Sequence, residues 1–152
     1  MKISTKLEGM DGVVAELQRR GLNVRSELTR MVTAAAEPIA EEAKRRATSD
    51  RVRKAIIVKV AQTKNGGRLV DVGIGPDTSR VKIGHLLEFG TAPHEIGRPG
   101  QTLAILGRYP VKGPVRHPGA AARPYLRPAH DTKKVQAQEI FAAETKKVIK
   151  AD

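Results

Sequence analysis

The sequence predicts an α+β fold in which an antiparallel β-sheet packs against helices, followed by a long Gly/Pro-rich loop or β-arm and a C-terminal helix. Apolar residues recur at helical spacing in about residues 10 to 47 and 131 to 150. Between them, about residues 55 to 75 are rich in β-branched side chains, and about residues 90 to 128 concentrate proline and glycine. Helices and strands grouped in separate parts of a chain are typical of α+β architectures.

The composition predicts a single domain, residues 1–152, with a modest core. The chain has 152 residues, and one core commonly serves about 100 to 200. Aromatic residues make up only 3% of the chain, so the interior must consist mainly of Val, Ile, Leu and Ala. A small core favours an oligomer, because any partner that binds only the folded state shifts the folding equilibrium toward that state.

The N-terminal part is predicted to hold two helices. Residues 10 to 20 place apolar side chains on one helical face, and Gly21 follows where this helix ends. A second helical pattern runs from Ser26, the expected N-cap, to Ala47. Pro38 lies inside it, so we expect a kink or a break at that point.

A β-hairpin is predicted for about residues 55 to 75, where Asn65-Gly66 supplies the positive backbone angles of a type I′ turn. The following pattern at residues 80 to 89 indicates a short helix interrupted by Gly84, with a strand as the alternative. At the end of the chain, an amphipathic helix is predicted from Asp131, its expected cap, to Lys150.

The Gly/Pro-rich segment at about residues 90 to 128 is predicted to be mostly loop, with strands at residues 102 to 106 and 109 to 115. Its prolines fix backbone angles and lower the entropy lost when a long segment becomes ordered. We therefore expect a preorganised arm that lies along a neighbouring protein or adds a strand to its sheet. The alternative is a hairpin internal to the same domain. The prolines of this segment are Pro93, Pro99, Pro110, Pro114, Pro118, Pro124 and Pro128.

The residues offer no pattern that predicts catalysis, a metal site or a cofactor. The chain has no cysteine, and it contains no Gly-x-Ser-x-Gly nucleophile turn. Its histidines lack the helical spacing of zinc-protease motifs, so we expect no metal. The residues considered for a metal site were His85, His94, His117 and His130, together with Glu88 and Glu95.

The charge balance predicts attraction to polyanions or to acidic protein surfaces. Lys and Arg number 28 against 16 Asp and Glu, a net charge of +12. One basic group is a candidate for contact with DNA or an acidic partner, with a solvated helix end as the alternative interpretation. This group comprises Lys44, Arg45, Arg46, Arg51, Arg53 and Lys54. No segment approaches the roughly 20 apolar residues of a membrane helix, so we expect a soluble protein without a membrane partner.

Four short motifs occur in order along the second half of the chain: Leu87-Glu88-Phe89-Gly90-Thr91, then Pro93-His94, His117-Pro118-Gly119, and Arg123-Pro124-Tyr125-Leu126-Arg127-Pro128-Ala129. In this order, and following a helical N-terminal part, they resemble the head-to-tail connector (neck, or tail-completion) proteins of long-tailed bacteriophages. That family is also similar to lambda-like minor tail protein Z. The resemblance covers the chain from about residue 10 to its end.

The resemblance implies a non-enzymatic virion part, made in the host cytoplasm and assembled as a homo-oligomeric ring at the neck or the head-proximal end of the tail. Its implied partners are neighbouring connector, stopper, terminator or tail-tube proteins, with non-specific DNA contact in the lumen. A basic nucleic-acid-binding protein is the alternative function. The implied interface or motif residues are Glu88, Phe89, Gly90, Thr91, Pro93, His94, His117, Pro118, Gly119, Pro124, Tyr125, Leu126, Arg127 and Pro128.

Overall fold

The computed structural model describes residues 2–5, 10–62, 68–75, 78–105 and 109–150. Helices combined with antiparallel sheets give the α+β fold class that the sequence predicts. In chain order the elements are β1 (Lys2–Thr5), α1 (Met10–Arg19), α2 (Val24–Arg46), α3 (Asp50–Ala55), β2 (Ile56–Gln62), β3 (Arg68–Ile74), α4 (Thr78–Phe89), β4 (His94–Ile96), β5 (Thr102–Ile105), β6 (Tyr109–Lys112), β7 (Val115–His117) and α5 (Leu126–Lys150).

The main sheet has the strand order β1-β3-β2, and both pairings are antiparallel. The predicted hairpin is confirmed as β2 and β3, whereas Asn65-Gly66 lies outside the described residues. Side chains alternate across the sheet, so that Ile56 and Val72 belong to the core while Ile57 is exposed. The edge strand β1, which the sequence patterns did not reveal, is joined to β3 by an ion pair between Lys2 and Asp71, 3.0 Å apart.

Two apolar clusters hold the helices together. The larger joins α2, the sheet and the start of α5, and it includes Ile39, Val72 and Tyr125. A smaller cluster around Leu17 and Met31 lies where α1 meets α2 and the end of α5. Aliphatic and alanine side chains dominate both clusters, in agreement with the low aromatic content.

Helix α2 differs from the prediction at its start and in its middle. It begins at Val24, because the Asn23 side chain accepts a hydrogen bond from the Ser26 backbone N–H at 3.2 Å and acts as the N-cap. The Ser26 cap is therefore wrong. The helix also continues through Pro38, and Ile39 and Ala40 directly after it are buried in the core, so the predicted break is wrong, whereas the alternative, a kink, stays a prediction.

Helix α4 is continuous from Thr78 to Phe89, so the predicted interruption at Gly84 and the alternative strand are both wrong. Gly84 is buried, and a Cβ atom added to it would lie 2.1 Å from the Ile74 side chain and 2.8 Å from the Tyr125 hydroxyl. A glycine here permits α4 to approach the sheet closely, and this packing outweighs the low helix propensity of the residue.

Helix α5 begins at Leu126, five residues before the predicted cap at Asp131. The extra turn contains Pro128, which is tolerated because a first helical turn needs no backbone donor at that position. The short helix α3 was also absent from the sequence-based prediction.

No helix within the described ranges is long and apolar enough to cross a lipid bilayer.

The Gly/Pro-rich segment folds as a β-arm made of two strand pairs. Strand β4 pairs with β7 at the root of the arm, and β5 pairs with β6 beyond it, all antiparallel. The two inner strands were predicted, although β6 ends at Lys112 and residue 106 lies outside the described residues. Strands β4 and β7 were not predicted. The arm is thus a hairpin of its own chain, which was the alternative interpretation.

Candidate functional site

The four motifs meet at one place, where the end of α4, the root of the arm and the start of α5 come together. Glu88 of α4 is only 4% exposed, and its carboxylate accepts the backbone N–H groups of Tyr125, Leu126 and Arg127 at 2.7, 2.9 and 3.1 Å. Residue Pro128 has no backbone N–H. The free donors of the first turn of α5 are therefore satisfied by a side chain from another helix.

Two glycines of the motifs bring the chain segments into close contact at the arm root. Thr91 and Ala120 exchange backbone hydrogen bonds of 2.9 and 3.1 Å. Beside them, Gly119 has φ +85°, and a Cβ atom there would lie 2.2 Å from the Thr91 carbonyl oxygen. Gly90 has φ +71° and would similarly meet the Ala120 carbonyl oxygen at 2.5 Å. Larger residues cannot occupy either position without opening the arm root.

His94 and His117 are cross-strand partners whose ring centroids are 5.0 Å apart. The Nδ1 of His94 lies 2.9 Å from the Ala92 carbonyl oxygen and must carry a proton to donate to it. The Nδ1 of His117 instead accepts the Gly119 backbone N–H at 3.0 Å, so the neutral ring carries its proton on Nε2. The pair consequently fixes the turn at the arm root.

Among the described residues, no three His, Asp or Glu side chains are placed to share a metal ion.

Other motif residues are exposed at the same junction. Phe89 is 50% exposed and lines a shallow groove of about 500 Å³, together with Ala122, Pro124, Arg127 and Pro128. We call this feature the Phe89 groove. The Arg127 guanidinium lies 6.0 Å from the centroid of the Phe89 ring, within range of a cation–π contact.

Tyr125 and Leu126 are buried and belong to the core, whereas Pro93 and Pro118 are exposed on the arm.

Each strand pair of the arm has two unlike sides. In the β4–β7 pair, Ile96 and Val115 share one side, and Glu95 and Arg116 share the other. In the β5–β6 pair, Leu103 and Val111 share one side, and Thr102 and Lys112 share the other. The side chain of Leu103 connects the two pairs, since it packs against Gly97 and Gly113.

The comparison with known protein families shows to which family the chain belongs. A family model described as "Bacteriophage HK97-gp10, putative tail-component" matches residues 11–90, more than half of the chain. The chain belongs to this family. No curated protein and no solved structure matches the chain significantly.

Membership in the HK97-gp10-like family makes the chain a bacteriophage protein of the tail-component type, which confirms the coarser part of the resemblance drawn from the motifs. The match runs from α1 to the end of α4 and stops at Gly90. The arm, the His117-Pro118-Gly119 turn and α5 thus lie beyond the matched residues. The closer likeness to lambda-like minor tail protein Z stays a prediction.

The basic group at the end of α2 is largely occupied by contacts within the HK97-gp10-like chain. Glu42 binds Arg45 at 2.6 Å and Arg46 at 2.5 Å, and hydrogen bonds from Arg45 and then Arg46 lower the pKa of Glu42 to about 2. Lys44 pairs with Glu41 at 2.7 Å. Arg53 binds Asp50 and donates to the backbone carbonyls of residues 44 and 47, which closes the C-terminus of α2.

Arg51 and Lys54 are exposed, and no carboxylate of the described residues forms an ion pair with them. Contact of this basic group with DNA or an acidic partner remains a prediction, and these two side chains are the ones best placed to make it.

Sequence reasoning missed several residues of this site. It identified the motifs but assigned no role to Ile96, Val111 and Val115 of the arm, or to exposed Leu86, one turn before Phe89. The alternation of apolar and polar residues around Val111 and Val115 could have indicated the arm residues. The role of Glu88 as a remote helix cap left no local signal, since its partners lie 37 to 39 residues away.

Proposed function

We propose that this protein is a structural component of the virion that joins head to tail at the neck or completes the tail end. It acts by assembling into a homo-oligomeric ring and by docking onto neighbouring connector, stopper, terminator or tail-tube proteins, and it performs no chemical reaction. Membership in a phage tail-component family supports the virion role. The position at the neck or tail end and the assembly into a ring are supported by the motif resemblance and by the exposed β-arm.

One observation carries the proposal: hydrogen bonds anchor the arm at its root, and the first half of the arm, residues 92–102, is exposed. The anchor consists of the Thr91–Ala120 bridge and a 2.7 Å hydrogen bond from the Arg123 backbone N–H to the Leu87 carbonyl. Beyond the root, residues 92–100 are exposed throughout, and the arm strands pack mainly against one another. A projecting ribbon held rigidly at one end suits protein docking, because little entropy is lost when it binds.

A designed shortening of the arm tests this function. Deleting residues 95–116 would remove most of β4 and β7, so a sharper variant replaces residues 97–114 with Asn-Gly, which closes Ile96 and Val115 into a tight hairpin. We expect this variant to keep the unfolding midpoint of the body but to yield heads and tails that do not join. A matched control replaces Pro99-Gly100 with Ala-Gly and leaves joining intact. Normal joining by the shortened variant would overturn the proposal.

Contact with DNA in the lumen is part of the proposal and also the basis of the alternative, a basic nucleic-acid-binding protein. The net charge of +12 favours both. If DNA binding is the main function, the purified protein binds free duplex DNA tightly, and the logarithm of its affinity falls steeply with the logarithm of salt concentration. Replacing Arg51 and Lys54 with Gln would then abolish binding, whereas the structural role predicts weak binding and normal particles.

A further inference from the structure

We propose that the outward face of α4 binds an acidic segment of a neighbouring virion protein, and that this segment places an apolar side chain beside Phe89. The inference rests on the proposed docking function and adds to it one surface and the chemistry of its partner. The surface consists of His85, Leu86 and Phe89, which are all exposed, and we call it the α4 patch.

The last two turns of α4 carry apolar side chains on both faces, and only one face is covered. On the inner face, Ile83 and Leu87 pack against the core. On the outer face, Leu86 and Phe89 lie one turn apart and are 47% and 50% exposed. Helices that are apolar all round are normally buried, so the outer face of α4 lacks a cover in the single chain.

Neighbouring groups limit the freedom of the patch. The rings of His85 and Phe89 pack with their centroids 4.8 Å apart, and the Arg127 guanidinium lies 6.0 Å from the centroid of the Phe89 ring. The Phe89 groove beside it is lined by Pro124 and Pro128, whose backbone angles are fixed. A preorganised surface loses little entropy on binding, and aromatic and Arg side chains are enriched at protein interfaces.

Positive charge surrounds the patch. Lys82 is exposed on α4 one turn before the patch, and Arg127 lies against Phe89. The backbone N–H of Arg123 donates to the Leu87 carbonyl, so this exposed Arg lies beside the end of α4. Within the described residues, none of these three cations forms an ion pair with a carboxylate.

The two carboxylates that line the Phe89 groove are engaged elsewhere. Glu88 is buried and accepts three backbone N–H groups, and Asp131 lies 3.4 Å from the Nδ1 of His130. A partner that carries Asp or Glu next to an apolar side chain supplies the missing counter-charges and covers the apolar surface at the same time.

A second copy of the chain and DNA fit the patch less well. A copy has the same net charge of +12, and its residues Glu16, Glu42 and Glu144 are already bound to its own Arg and Lys side chains. Duplex DNA supplies negative charge through its phosphates, but phosphates leave Leu86 and Phe89 without an apolar contact. An acidic protein segment satisfies both the charged and the apolar parts of the surface.

Site-specific photo-cross-linking in assembled particles tests the partner directly. The full-length protein carries p-benzoylphenylalanine in place of Phe89 or, as the control, in place of Ile57, which is 41% exposed on the main sheet. Mass spectrometry then identifies the cross-linked segment. We expect position 89 to yield a segment of another virion protein in which Asp and Glu outnumber Lys and Arg, at least about tenfold more often than position 57 does.

Several results would overturn the proposal: cross-links from position 89 to a second copy or to DNA, cross-links to a segment without excess negative charge, equal cross-linking from position 57 to the same segment, or no cross-link from protein that is present in particles. If the Phe89 variant stays out of particles, p-benzoylphenylalanine at Leu86 is judged by the same criteria. Absence of the wild-type protein from particles would instead contradict the proposed virion function.

A charge reversal tests the electrostatic part. Arg127→Glu retains the backbone N–H that Glu88 accepts, so the cap of α5 remains. Heads and tails prepared without the protein are mixed with each purified variant, and joined particles are counted. We expect Arg127→Glu to lower joining about tenfold or more, whereas Lys146→Glu, at an exposed position about 29 Å further along α5, should change it less than about twofold. Circular dichroism verifies that both variants fold. Unchanged joining by folded Arg127→Glu protein would contradict an acidic partner.

Discussion

The Glu88 carboxylate accepts the backbone N–H of Leu126 at 2.9 Å, across 38 residues of sequence. This contact makes the last turn of α4 the cap of α5, and the arm leaves the body between the two helices. The motif residues at this junction therefore have a structural role that is visible in the single chain. Phe89 is half exposed at the same junction, with the Arg127 guanidinium 6.0 Å from its ring, and contact of a partner with these two motif residues stays a prediction.

Removing the remote cap should destabilise the protein strongly. Glu88→Ala leaves three backbone donors of the α5 start without an acceptor, and we expect the free energy of unfolding to fall by about 3 kcal/mol. Glu88→Gln retains one acceptor oxygen and should lose less. Chemical denaturation measures both. The control is Glu95→Ala, an exposed arm residue, for which a change within about 0.5 kcal/mol is expected. Equal effects of Glu88→Ala and Glu95→Ala would rule out the cap.

Two glycine-to-alanine changes should have opposite signs. Gly84→Ala forces a methyl group against Ile74 and the Tyr125 hydroxyl, so stability should fall by about 1–3 kcal/mol. Gly12→Ala in α1 meets nothing within 4 Å, so it should raise stability by about 0.5–1 kcal/mol through helix propensity. Thermal unfolding of both variants checks the pair. A stabilising Gly84→Ala would show that α4 does not approach the sheet as closely as described.

The hydroxyl of Tyr125 is buried and has no hydrogen-bond partner within the described part of the chain. Burial, and secondarily the charge of Glu88, raises the pKa of Tyr125 above its ordinary value. Removing an unpaired buried polar group relieves its desolvation cost, so Tyr125→Phe should stabilise the protein by about 1 kcal/mol. A loss of more than about 1 kcal/mol in denaturant unfolding would mean that the hydroxyl is hydrogen-bonded in solution.

Acid should destabilise the protein through its paired glutamates. Hydrogen bonds from Arg19 and Arg20 lower the pKa of Glu16 to about 2, Arg45 and Arg46 do the same for Glu42, and Lys147 and Arg30 lower the pKa of Glu144. A lowered folded-state pKa contributes stability above the ordinary value of 4.5 that is lost as the pH falls toward 2. The unfolding midpoint should therefore decline across this window.

The Glu42→Gln variant isolates one of these contributions. It should unfold more easily at neutral pH and show a shallower decline between pH 4.5 and 2 than the unchanged protein. Parallel pH profiles of the two proteins would show that the Glu42 ion pairs do not persist in solution.

Much of the fold followed from local patterns in the sequence. The periodicity of α1, α2 and α5 and the β-branched runs of β2 and β3 predicted these elements correctly. In each of them, buried apolar residues recur along the sequence with the period of a helix or of a strand. Errors occurred where tertiary contacts outweigh local preference. Gly84 stays helical because close packing against Ile74 and Tyr125 requires a glycine, and α5 starts early because a side chain of α4 caps it.

The candidate site was predicted in part. The motifs drew attention to the correct residues, but a motif cannot show which of its members face inward. Only the three-dimensional arrangement separates buried Glu88 from exposed Phe89, its direct neighbour. The short strands β4 and β7 escaped prediction for a related reason, since three residues are too few to show an alternating pattern.

The most direct test of a structural role in the virion is to label the protein and image purified particles by electron microscopy, with mass spectrometry to measure its copy number. The proposed role predicts that the label lies at the neck or the head-proximal tail end in a fixed number of copies per particle. Complete, infectious particles that lack the protein altogether would contradict it.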